Sequence, residues 1–300
     1  MVWPFASDNV VDPKYENTTE YFKNAEGLYL YYQVHQAVEV AKANVLLIHG
    51  LGEHCGAPQW QKRLIPTLTK AGFRCALYDQ QGHGRSQGHS TAYTHDIQNL
   101  VNDAKQFTEM IIAKESAGSK IPTVILGHSM GGLITFEVVR ENPDLYDMAI
   151  INGGAFFIDP KVLTPTLNVL STVLSKVAPK MALPDAIDLA KLSRNPNVEE
   201  YAKNDTLRYN GGLRSRTARS ILDRIGVVTK KMASFKTPVY FSHGEKDLIC
   251  SPQGTKAVYE GCGSEDKTLK IWDEMLHEVF EDPDSDLVLE SIVEFINKRI

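Results

Sequence analysis

The chain is short of each feature that would take it out of the ordinary globular class. Its four cysteines (Cys55, Cys75, Cys250, Cys262) show no CxxC spacing and no nearby metal-ligand pattern, which favours free thiols in a reducing compartment over a disulfide framework or a metal centre. Lys and Arg are outnumbered by Asp and Glu, leaving a formal net charge of −5. That balance argues against a nucleic-acid partner, because phosphate binding needs a clear surplus of positive side chains. No uncharged run reaches the ~18 residues of a spanning helix; Val162 to Ser175 comes nearest but carries Thr, Asn and Ser. The first ten residues, MVWPFASDNV, lack the basic start and long apolar centre of a signal peptide. A soluble cytoplasmic protein is expected, with contact at a membrane surface left open. No internal repeat or low-complexity stretch interrupts the chain.

What is present is enough apolar side chain, 43% of residues, to build a sizeable core. Short β-branched or aromatic runs read as strands at 29–35, 45–49, 75–78, 123–128, 148–152, 239–243 and 269–272. From residue 45 onward most are nearly continuous in apolar character, as expected where helices cover both faces of a parallel sheet. Helical spacing lies between them, at Trp60, Leu64 and Leu68 before Gly72, at Leu100, Ala104, Phe107 and Ile111, and at Val288, Ile292, Phe295 and Ile296. The alternation predicts an α/β fold, a mostly parallel central sheet flanked by helices. One region breaks it. Residues 156–234 are strand-poor, so 1–155 and 235–300 are expected to form one core, with 156–234 inserted as a mainly helical cap or, alternatively, as a peripheral decoration.

TVILGHSMGGLITFEVV reads as an apolar strand, then Gly127-His128-Ser129-Met130-Gly131, then a helix. A strand that turns straight into a helix holds the serine in a strained conformation and needs small residues on either side; the turn lifts Oγ clear of the sheet edge. Ser129 is therefore the candidate nucleophile. The amide of Met130, at the helix N-terminus, is one candidate oxyanion donor. The strand ending in His49-Gly50 offers the second, the amide of Leu51.

A serine hydroxyl needs a base, and the base needs a carboxylate to fix its tautomer. Where this turn is used, the chain order is Ser, acid, His. After Ser129 only His243 and His277 remain. His243 sits inside a strand and reads as a packed polar group; His277 follows the last strand in a loop and is the expected base. Asp247, just past a strand end, is the expected carboxylate, with Glu245 as the alternative. Cys250 is either a thiol within reach of reagents or a small buried hydrophobe. No metal or organic cofactor is needed.

These residues resemble the monoacylglycerol lipase group of α/β hydrolases from about residue 27 to the end. The resemblance rests on HGLGEH (49–54), DQQGHGRSQG (79–88), GHSMGG (127–132), LSRNPNVEEYAKND (192–205), HGEKD (243–247) and EMLHEVF (274–280). It implies the α/β-hydrolase fold and cleavage of a single long-chain acyl ester of glycerol. It also implies a cap whose aliphatics (Val162, Leu163, Leu167, Val169, Leu170, Val173, Leu174) form an acyl tunnel and can lie against lipid. Glu53 and Tyr201 match positions near the polar-head end of such sites. Two positions depart from the group. Ala57-Pro58 stand where an arginine is usual, which bears on head-group recognition, and Asp205-Thr206-Leu207 replaces Asp-Pro-Leu. Arg208, Arg214, Arg216, Arg219 and Arg224 read as a solvated face or as a contact for anionic lipid. Rival readings are a lysophospholipase or general carboxylesterase on the same residues and, from another class, a non-catalytic binding module. Such a module usually lacks one of the three side chains that are all present here.

Overall fold

A computed structural model describes residues 19–89, 91–115, 121–157, 165–183 and 188–300. Among the described residues there are eight strands: β1 (Tyr21–Lys23), β2 (Tyr29–His35), β3 (Ala43–Ile48), β4 (Phe73–Tyr78), β5 (Thr123–His128), β6 (Met148–Asn152), β7 (Val239–Gly244) and β8 (Lys267–Trp272). They form one sheet in the order β1-β2-β4-β3-β5-β6-β7-β8. The first two pairings, β1–β2 and β2–β4, are antiparallel and all later ones are parallel. Every residue of β3, β5, β6 and β7 is buried. Their continuous apolar runs follow from helices on both faces. On one face Leu46, Ile48, Ile125 and Ile151 pack with α2 (Ile97–Glu115) and α3 (Met130–Glu141). On the other, Val45, Leu47, Leu126 and Ile150 pack with α1 (Ile65–Lys70) and the C-terminal helix at Ser285–Asn297. Period-two alternation along each strand sorts the side chains between the two cores.

The sheet departs from the sequence reading at its margins. The three-residue edge strand β1 is too short to show a pattern. The helix expected through Trp60, Leu64 and Leu68 begins as a π-helical turn at Gln59–Leu64 and becomes α-helical only from Ile65. All three of those side chains are nonetheless fully buried.

Between β6 and β7 lie α4 (Pro165–Val177), α5 (Pro196–Asn204) and α6 (Ser215–Lys231), and no strand among the described residues. Asn195 caps α5 by accepting from the Asn197 amide at 3.1 Å, with Pro196 at the first helical position. Helix α6 is pinned to the core where Thr217 and Ser220 hydroxyls accept from the amides of Thr94 and Ile97, at 3.0 and 2.7 Å. On α4, Val169, Leu170 and Val173 are 65%, 47% and 49% exposed. Val162 and Leu163 lie outside the described residues, as does the Leu167 side chain. Among the described residues no helix is long and apolar enough to cross a membrane.

After β3 the chain runs to β4 on one side and then crosses to β5 on the other. The carboxyl ends of β3 and β5 therefore border the point where strand order reverses, the usual place for a ligand crevice in such sheets.

Candidate active site

Ser129 sits between β5 and α3 with φ 57° and ψ −121°, a left-handed conformation that a side chain seldom adopts. Its amide donates to Asn152 O at 2.9 Å, which ties the turn to the end of β6. The flanking glycines are sterically required. A Cβ on Gly127 would overlap Gly131 O and Thr135 Oγ1, and one on Gly131 would overlap Ile48 O. Gly127→Ala is accordingly expected to destabilise the fold by about 1–3 kcal/mol, read as a lowered urea midpoint; a midpoint equal to wild type would contradict this packing.

Met130 opens α3, so its N–H is one of the helix's unpaired first-turn donors. Leu51 follows β3 and lines the same cavity as Ser129 and Met130. That cavity, of about 250 Å³, is otherwise largely apolar, with Phe157, Ile221, Ile225 and Ile249 among its walls.

The loop after β7 carries Asp247 and the loop after β8 carries His277. His277 Nδ1 donates to Asp247 Oδ2 at 2.6 Å, and both residues are buried. This bond fixes the tautomer so that Nε2 is the free ring nitrogen. Asp247 Oδ1 accepts from the amides of Ile249 and Cys250, at 2.8 and 2.9 Å. Burial alone would raise the Asp247 carboxyl. The imidazoles of His277 and His243, with their hydrogen bonds, outweigh burial and hold it well below the usual carboxylate range. The alternative carboxylate, Glu245, is exposed and lies 3.5 Å from Lys246.

His277 Cε1 would lie 3.4 Å from a Cβ on Gly153, the residue after Asn152, which itself binds the Ser129 amide. The imidazole therefore stands beside the serine turn. No hydrogen bond joins it to Ser129 Oγ, however; the hydroxyl faces Cys250 Sγ at 3.9 Å. Burial pushes the Cys250 thiol up, so at neutral pH it is a protonated, weakly nucleophilic neighbour.

His243 spans Asp247 from the other side. Its Nε2 donates to Asp247 Oδ2 at 3.0 Å and to Cys250 O at 2.8 Å, while Nδ1 accepts from the Thr255 hydroxyl at 2.7 Å. Asp247 Oδ2 is thus shared by two imidazoles.

Sequence reasoning missed a buried ionic cluster under the serine. His128 Nε2 lies 3.3 Å from Glu278 Oε1 and 3.7 Å from Glu53 Oε1. Burial opposes charge on His128, but the carboxylates of Glu278 and Glu53 prevail and lift it to about 9. Glu278 is held below its usual range against its own burial, chiefly by His128. Glu53 is pushed up by burial and by the Glu278 charge. The three ligand atoms lie within 4.8 Å of one another, yet a cation could enter only in place of the His128 proton. The signal was adjacency along the chain: His128 precedes Ser129, and Glu278 follows His277.

The two expected head-group residues, Glu53 and Tyr201, are both held by neighbouring groups. Glu53 is turned inward: its Oε2 accepts from the Gly50 amide at 3.0 Å and its Oε1 faces His128. Tyr201 is engaged through its side chain. Its hydroxyl donates to Asp205 Oδ2, which also binds His54 Nε2 at 2.6 Å, so Tyr201 and Asp205 clamp α5 to the loop after β3. Of the five arginines in the basic tract, four are engaged by neighbouring groups. Arg214 Nη1 donates to Lys180 O at 3.0 Å and Arg216 Nε to His95 O at 2.7 Å, Arg219 pairs with Asp223, and Arg224 meets Glu137 at 2.9 Å. The fifth, Arg208, lines the Ser129 cavity.

Residues 39–284 match the family described as serine aminopeptidase, S33 (Hydrolase_4). A monoacylglycerol lipase of Mycolicibacterium smegmatis is 28% identical over 275 residues, covering 92% of this chain and 95% of the relative. The monoglyceride lipase of Mus musculus is 30% identical over 255 residues, 85% of this chain and 81% of the relative. Among solved structures, the monoacylglycerol lipase of Paleococcus ferrophilus superposes with a TM-score of 0.78 at 28% identity, covering 90% of this chain and 99% of that one.

Proposed function

We propose, from the premise that the chain belongs to the serine aminopeptidase S33 family within the α/β-hydrolase superfamily, that it cleaves monoacylglycerols to fatty acid and glycerol through an acyl-enzyme on Ser129. The chain is a carboxylic ester hydrolase of the lipase and esterase kind. The observation that carries the finer reading is the buried 2.6 Å bond between His277 and Asp247, beside a serine held at φ 57° at the mouth of an apolar cavity.

In this reading a χ1 rotation takes the Ser129 hydroxyl from Cys250 to His277 Nε2, a change between staggered wells that substrate can select. His277 removes the proton as Oγ attacks the ester carbonyl. The amides of Leu51 and Met130 receive the oxyanion, each worth about 2.7–4 kcal/mol of barrier. His277 returns the proton to the departing alcohol, then activates the water that frees the acid. Asp247, kept anionic, stabilises the imidazolium in both steps. Residues 156–234 serve as a cap over the strand ends, and the exposed aliphatics of α4 are its contact with a membrane or micelle.

A fluorophosphonate probe should label Ser129 and no other residue. A panel of 2-monoacylglycerol, lysophosphatidylcholine and a short p-nitrophenyl ester, with and without micelles, should show the highest kcat/KM on the monoacylglycerol. Faster turnover of the lysophospholipid or of the short ester would move the assignment to a lysophospholipase or to a general carboxylesterase.

A further inference from the structure

We propose that Arg208 makes this site selective for esters whose alcohol part bears an anionic group, a phosphate or a carboxylate. The inference rests on the Ser129 acyl-ester chemistry above and departs from that reading in the alcohol part, which becomes a charged glycerol derivative in place of glycerol. Arg208 is the one charged side chain among the described residues lining the Ser129 cavity. It also lines an adjoining cleft of about 230 Å³ with Gly52, His83 and Gly84, so it stands where the two spaces meet. In this proposal an ester held at Ser129 lays its acyl chain among Phe157, Ile221 and Ile225 and directs its alcohol part toward the second cleft, past Arg208.

The position of Arg208 is fixed by backbone. The amide of the next residue, Tyr209, donates to Gly52 O at 2.8 Å, and a Cβ on Gly52, which has φ 77°, would overlap Tyr209 O. Close approach of the two loops thus depends on that glycine and sets Arg208 beside Leu51. The charge is not spent locally. Among the described residues Arg208 makes no ion pair, and its Nε donates only to the neutral Asn210 side chain at 3.1 Å. Arg219 and Arg224, by contrast, are paired with carboxylates. To the buried acids it is a secondary counter-charge. His128 is in contact with both Glu53 and Glu278, and Arg208 ranks behind it in drawing their carboxyls down. A guanidinium left in this state offers a planar fork of donors suited to two oxygens of one anion.

The test compares kcat/KM on 1-oleoylglycerol, 1-oleoylglycerol-3-phosphate and the 3-hemisuccinate of 1-oleoylglycerol, all below their micellar concentrations. Wild type, Arg208→Leu and Arg208→Lys are assayed. Anionic-to-neutral ratios taken within one preparation are insensitive to the fraction of protein folded. Wild type should favour at least one anionic ester by roughly tenfold or more, a preference that Arg208→Leu abolishes and Arg208→Lys partly restores. Phosphate alone favoured identifies a phosphate head group; both anions favoured identifies charge as the criterion. Ratios that are the same in wild type and Arg208→Leu overturn the inference while leaving ester hydrolysis intact. Failure of wild type to cleave any of the three esters removes this inference together with the acyl-ester reading.

Discussion

Replacing Ser129 with alanine is expected to lower ester hydrolysis by at least about a thousandfold, because the residue proposed to form the covalent intermediate has no understudy. The nearest alternative nucleophile is Cys250, 3.9 Å from the serine oxygen. Its thiol is pushed up by burial and by the Asp247 charge, so it supplies almost no thiolate at neutral pH. Residual turnover would reflect oxyanion and binding contributions alone, which survive loss of the nucleophile. The purified variant should melt close to wild type, since a single hydroxyl is lost. A variant that keeps a tenth of wild-type kcat on a monoacylglycerol would end the case for Ser129.

Asp247→Asn should cost about 10⁴ in kcat. The carboxylate is the acceptor for His277 Nδ1–H at 2.6 Å and simultaneously for His243 Nε2 at 3.0 Å, through the same oxygen. An amide can present its oxygen there only by turning its NH2 toward the amides of Ile249 and Cys250, which now donate to Oδ1. Either orientation sets two donors face to face, so the imidazole loses its fixed tautomer. The same substitution has a pH signature. Asp247 is depressed below its unfolded value of 3.8, so its contribution to stability is complete above that pH and drains as pH falls through the lower folded value. Wild type should therefore lose melting temperature more steeply than Asp247→Asn below about pH 4. Matching acid limbs in the two melting profiles would show that the carboxylate carries no such linkage.

A linear reading reaches what neighbours on the chain determine. The turn at Ser129 is legible because its steric demand is met within five consecutive residues, and the structure does end β5 and begin α3 there. Strands buried on both faces are legible because two packed faces leave an uninterrupted apolar run. The π-helical turn at Gln59–Leu64 is not, since the same apolar spacing serves either winding. The cluster of Glu53, His128 and Glu278 was hidden by distance, its members meeting only when β3, β5 and the loop after β8 come together. Glu53 could be matched by motif, but not the direction of its carboxylate, which the Gly50 amide decides. Arg208 looked like one charge in a basic tract; what sets it apart is that it alone of the five lines the Ser129 cavity, with its hydrogen bond going to the neutral Asn210 side chain.

The hydrogen bond from Tyr209 to Gly52 has a mechanical meaning. It joins the loop between α5 and α6 to the carbonyl of Gly52, one residue beyond the Leu51 amide proposed to receive the oxyanion. Under the proposed reading of 156–234 as a cap, admission and holding the developing charge draw on one short stretch of chain. A substitution that loosens the proposed cap should be felt in turnover as well as in binding, because the proposed access route and the proposed oxyanion donor meet at that hydrogen bond.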